Sequence, residues 1–71
     1  MKYVDLQNKT PKQLRDFIYR IGWNKKLLLD EMEYAGEEPR DYYKEYTLLE
    51  LCDTFTDVVV DLIWEEMCNA Q

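Results

Sequence analysis

The sequence predicts an all-α protein, a small bundle of two short helices and one long C-terminal helix. Three observations carry that prediction. Apolar residues recur at helical spacing in three separate stretches, a capping residue stands in front of each, and only two Gly and two Pro leave little room for a turn-rich β fold. With 46% hydrophobic residues the chain is too apolar for a disordered segment. Its 71 residues make a single domain, 1–71. A chain of that size buries only about 60% of the surface exposed by its unfolded form, so stability is marginal and a homodimer is expected to add to it.

Residues 1–9 form a lead-in with Val4 and Leu6 at alternate positions, read as a short N-terminal strand, or as an arm lying on the core. Thr10-Pro11-Lys12-Gln13 starts the first helix: Thr10 as N-cap, Pro11 at the first helical position, Gln13 reaching back as in a capping box. Leu14, Phe17, Ile18 and Ile21 fall at i, i+3, i+4, i+7 on one stripe, and Gly22 supplies the left-handed residue that ends the helix. Asn24 caps a second helix over 25–35, with Trp23 and Leu28 placed as a hydrophobic staple. Leu28, Met32 and Ala35 make its inner edge, Leu27 and Leu29 widen it, and Gly36 terminates it. Pro39 cannot continue a helix and disfavours helix at Glu38, so 37–41 reads as a turn, after which Tyr42, Tyr43 and Tyr46 have room for one short helical turn.

Thr47-Leu48-Leu49-Glu50 is a second capping box, directly before an apolar run, and the last helix is predicted as one piece over 47–68. Leu48, Leu51, Cys52, Phe55, Val58, Val59, Leu62 and Ile63 share its core face. Cys52 and Cys68 lie 16 residues apart on it, which at 1.5 Å per residue is about 24 Å, too far for a disulfide. Reduced thiols, a charged N-terminus and the lack of any 18-residue apolar run point to a cytoplasmic protein outside the membrane.

The net charge of −6 is strongly polarised. Residues 1–29 hold seven bases and two acids (+5), 30–44 two bases and six acids (−4), and 45–71 seven acids and no base (−7). A nucleic-acid binder needs a dominant basic face, so direct nucleic-acid binding is not expected. On the wheel of the last helix, Glu50, Asp53, Asp57, Asp61 and Glu65 align opposite the core face at spacings of 3, 4, 4 and 4. Like charges at i,i+4 destabilise a helix by about 0.2–0.5 kcal/mol per pair, and no Lys or Arg is interleaved among them. Three readings stand open. Arg15, Arg20, Lys25 or Lys26, of this chain or a second copy, neutralise the row; the row is a solvated face that aids solubility; or it is a docking surface for a basic protein. One carboxylate per turn is about 5.4–6 Å, near the spacing of phosphates along a nucleic-acid strand.

Val60 and Trp64 fall beside Asp57 and Asp61, away from the core stripe. They read either as an aromatic hot spot ringed by charge or, with Met67, as a second apolar strip covered by the N-terminal segment or another protomer. Of the six tyrosines, Tyr19 and Tyr46 read as core edge, and Tyr42 and Tyr43 as interface candidates. No histidine is present, the two thiols have no neighbouring base, and no glycine-rich loop exists, so no catalytic, cofactor or metal site is expected. The acids form a row and not a cluster converging on one ion.

The sequence therefore points to a non-catalytic protein that docks through Glu50, Asp53, Asp57, Asp61, Glu65, Trp64, Val60, Tyr42 and Tyr43 on the basic, nucleic-acid-binding surface of another protein. In these general properties it resembles the small DNA-mimicking inhibitors that phages and mobile elements encode. The alternative is a helical homodimerisation, adaptor or antitoxin-like regulatory module that uses the Val60-Trp64-Met67 strip.

Overall fold

Polar caps and two glycines punctuate the chain where the sequence predicts. In the computed structural model, which describes residues 2–37 and 40–69, they separate six helices, and no strand occurs among the described residues. The helices are α1 (Tyr3–Gln7), α2 (Pro11–Arg20), α3 (Lys25–Tyr34), α4 (Arg40–Tyr43), α5 (Leu48–Thr54) and α6 (Thr56–Asn69). Thr10 Oγ1 accepts the Gln13 N–H at 3.2 Å, while Gln13 Oε1 accepts the Thr10 N–H at 2.9 Å. Thr47 and Glu50 repeat that exchange at 3.1 and 3.0 Å, and Asn24 accepts from Leu27 at 2.9 Å. Gly22 and Gly36 adopt φ of 89° and 84°. Each follows a helix in a Schellman closure: the Trp23 N–H bonds the Ile18 carbonyl, and the Glu37 N–H bonds the Met32 carbonyl.

Residues 3–7 are helical, not a strand. The Asp5 carboxylate accepts the Lys2 N–H at 2.9 Å and closes the first turn locally, and helix places Tyr3 and Leu6 on one side, against α6. The period-2 signal of Val4 and Leu6 misleads because only Leu6 is buried; Val4 is 49% exposed.

The predicted long helix is two helices. Phe55 leaves helical geometry at φ −116°, ψ 43°. The Thr56 hydroxyl donates to the Cys52 and Asp53 carbonyls at 2.7 and 3.0 Å, competing with the backbone N–H groups that would continue α5. The Phe55 ring turns onto α4 and the loop after it, 4.8 Å from Tyr43 and 5.6 Å from Tyr46.

Around this break the core assembles Leu6, Leu14, Ile18, Leu28, Met32, Leu51, Cys52, Val59, Val60 and Ile63, all buried, with no polar or charged residue buried among the described residues. Full burial of a Leu or Ile side chain contributes about 1.5–3 kcal/mol. The short helix α5 lies along α2, whereas α6 is flanked by α1, α2, α3 and α5. Crowding around α6 widens its buried arc, so Val60 sits in the core at 1% exposed and not beside the acids on the surface. The same packing against Phe55 buries Tyr43, at 1% exposed. Tyr46 is half-buried as expected, but Tyr19, expected at the core edge, is exposed, as is Ala35 at the end of α3. Of the turn expected over 37–41, Glu38 and Pro39 lie outside the described residues, while Arg40 and Asp41 are helical and open α4. Among the described residues no helix is long and apolar enough to cross a membrane.

Candidate functional site

From Thr56 to Met67 the exposed residues of α6 are Asp57, Asp61 and Glu65, and no others. Every other position there is buried or half-buried, so the solvent stripe of this part of α6 consists of carboxylates. Glu50 and Asp53 are also exposed, but they belong to α5, beyond the break at Phe55. The five-residue row is therefore two groups carried by two helices.

Of the four bases that sequence reasoning offered for neutralising the row, three are engaged elsewhere, and Lys26 makes no ion pair among the described residues. Arg15 pairs with Asp16 at 3.5 Å, the Arg20 guanidinium lies 5.8 Å from the Phe17 ring centroid, and the Lys25 ammonium donates to the Lys44 carbonyl at 2.8 Å. The other ion pairs among the described residues join Arg40 to Asp30 and Lys44 to Asp41. None includes Glu50, Asp53, Asp57, Asp61 or Glu65. Lys25 reaches the row only through its field: Glu50 is held below the usual carboxylate range by the Thr47 N–H first, then by the Thr47 hydroxyl, and more weakly by Lys25. Glu50 thus has a local task, capping α5. Together with Asp53, Leu49, Thr10, Pro11 and Lys12 it borders an open depression of about 490 Å³. Lys12 is beyond ion-pair distance of both acids there, and the N-terminal end of α2 adds further positive character to the same wall.

The α6 acids have a different neighbour. The Tyr3 hydroxyl donates to the Asp61 carboxylate, and the Tyr3 ring stands against Trp64 at 76°, centroids 5.7 Å apart. That hydrogen bond, partial loss of water and the negative fields of Asp61 and Asp57 push the Tyr3 phenol above its ordinary value. Trp64 and Met67 are half-buried against the core. The strip of Val60, Trp64 and Met67 is thus interior at Val60, and at Trp64 it is covered in part by α1. Of the two interface tyrosines, Tyr42 is 55% exposed and stacks on Tyr46 at 6.2 Å, while Tyr43 is interior.

Tyr3 is the residue that sequence reasoning missed. Its partner Asp61 is 58 positions away, and nothing in the local pattern at the N-terminus announces that contact. Among the described residues no three His, Cys, Asp or Glu side chains gather to hold a metal ion. The two cysteines are free; burial pushes the Cys52 thiol up to about 11, against a weaker opposing effect of Arg15, which leaves it a poor nucleophile at neutral pH. Comparison with known protein families, with curated proteins and with solved structures gives no match for this chain.

Proposed function

We propose that this is a non-catalytic binding protein whose acidic face docks on and blocks the basic, nucleic-acid-binding surface of another protein. The observation that carries the reading is the solvent stripe of α6: three carboxylates a turn apart, no base paired with them among the described residues, and no other side chain fully exposed between Thr56 and Met67. Unpaired like charges in a row repel one another, and a basic surface relieves that repulsion on contact. Asp53 and Glu50 are likewise exposed on α5, across the break, and Tyr42 is exposed on α4. The alternative of an adaptor strip is weaker, because Val60, its first member, faces inward.

The test is capture from lysate on immobilised protein at about 50 and about 200 mM salt, with the retained protein identified by mass spectrometry. A basic nucleic-acid-binding protein is expected at low salt, lost at high salt, and lost again when Asp53, Asp57 and Asp61 are all replaced by Asn. A complex that survives both the salt and the substitutions overturns the reading.

A further inference from the structure

We infer that the Tyr3–Trp64 pair beside Asp61 is the anchor point for an arginine side chain of the basic partner, so that α1 takes part in recognition and is not merely a lid on the core. This rests on the docking reading above and adds to it the chemistry of the contact.

Two half-buried aromatic rings meet edge to face next to a base-free stripe of acids. Aromatic rings attract cations through their negative faces, and a carboxylate alongside supplies the hydrogen-bond acceptor that a ring lacks. A guanidinium fits both demands at once. It is flat, weakly hydrated and stacks on rings, and its forked N–H groups match a carboxylate; a lysine ammonium is a more strongly hydrated point charge. Asp61 accepts the Tyr3 hydroxyl on Oδ1, which leaves Oδ2 for an incoming donor. Asp57 and Glu65 stand one turn away on either side. Lys2, the base next to Tyr3 in sequence, makes no ion pair with these acids among the described residues, and no base follows Lys44. The depression at Leu49 is a poorer seat for a cation, because Lys12 and the α2 N-terminus line it.

The experiment uses the intact chain labelled with 5-fluorotryptophan. Its two tryptophan signals are assigned with Trp23→Phe and Trp64→Leu, and hexa-arginine and hexa-lysine peptides are titrated at about 50 mM salt. The Trp64 signal is expected to move saturably with hexa-arginine while Trp23 stays still. Hexa-lysine is expected to bind at least about threefold more weakly, and Trp64→Leu to weaken hexa-arginine about three- to tenfold by calorimetry. Tyr3→Phe is the discriminating variant. It keeps the ring but releases Asp61 from the phenol, so hexa-arginine binds more tightly, whereas a purely structural role for Tyr3 predicts looser binding. A still Trp64 signal with calorimetric binding that is lost in the Asp53, Asp57, Asp61 to Asn variant overturns the anchor while leaving the docking reading standing. Absence of any saturable hexa-arginine binding also overturns the anchor, and the lysate capture then judges docking by itself.

Discussion

Helices α5 and α6 read alike in sequence, each with an apolar face and outward acids, yet they occupy different surroundings. On α5, Glu50 is committed to the Thr47 cap, Asp53 borders a depression with Lys12 on its other side, and α2 runs along the helix. On α6, Asp57, Asp61 and Glu65 make up the whole exposed stripe as far as Met67, and among the described residues they make no ion pair, while the Tyr3 hydroxyl donates to Asp61. Similar outward acids thus serve as a cap through Glu50 on α5 and make no ion pair among the described residues at Asp57, Asp61 and Glu65 on α6.

That division can be broken first through the core on either side. Leu51 and Leu6 are both fully buried, the former on α5 and the latter on α1. Leu51→Ala is expected to cost about 2–5 kcal/mol in urea unfolding, enough to leave a chain of this size largely unfolded. Leu6→Ala is expected to cost less, because a five-residue helix packed chiefly on α6 can detach without opening the rest. Hydrogen exchange should then rise at Val60 and Trp64 but not on α5. Equal losses in the two variants would show that α1 is as integral to the fold as α5.

A smaller effect isolates the cap. Thr47→Ala is expected to cost about 1 kcal/mol by thermal or urea unfolding, without weakening the binding of a cationic peptide to α6. Loss of that binding would show that the two acidic groups act as one surface.

The smallest effects are expected in pH. Glu50 has a lowered folded pKa, so its contribution is present above the ordinary value of 4.5 and is lost as pH falls through the folded value below it. Glu50→Gln should erase that acid-side loss, whereas Thr47→Ala, which keeps the Thr47 N–H and removes only the hydroxyl, should lessen it. Tyr3 has a raised folded pKa, so its contribution is present below 10.0 and is lost as pH rises through the folded value above it. Alkaline titration followed at Trp64 should report the release of α1 in that window, and Tyr3→Phe should abolish the transition. An alkaline transition at Trp64 that persists in Tyr3→Phe would mean that ionisation of the Tyr3 phenol is not what drives it.

The starts of α2, α3 and α5 and the stops of α2 and α3 were legible in sequence because they are settled within five residues. Thr10 with Gln13, Asn24 before Leu27, Thr47 with Glu50, and the glycines at 22 and 36 each complete their hydrogen bonds locally. The all-α class and most of the core stripe follow from the same short-range periodicity. The break at Phe55 was not legible, because a threonine in a helical run is ambiguous until its hydroxyl finds a carbonyl and the neighbouring ring finds Tyr43 and Tyr46. Nor was the burial of Val60 and Tyr43, since a helical wheel ranks positions around one axis but cannot say how many neighbours will surround it. With four helices against it, α6 has a narrow solvent stripe, and that crowding left Asp57, Asp61 and Glu65 as its exposed residues as far as Met67. The sequence by itself determined where the acids are and that no base is interleaved with them. Only the tertiary structure decided that they divide between two helices and that Tyr3, 58 residues away, stands beside Asp61, because contacts between distant segments follow from packing and have no local signature.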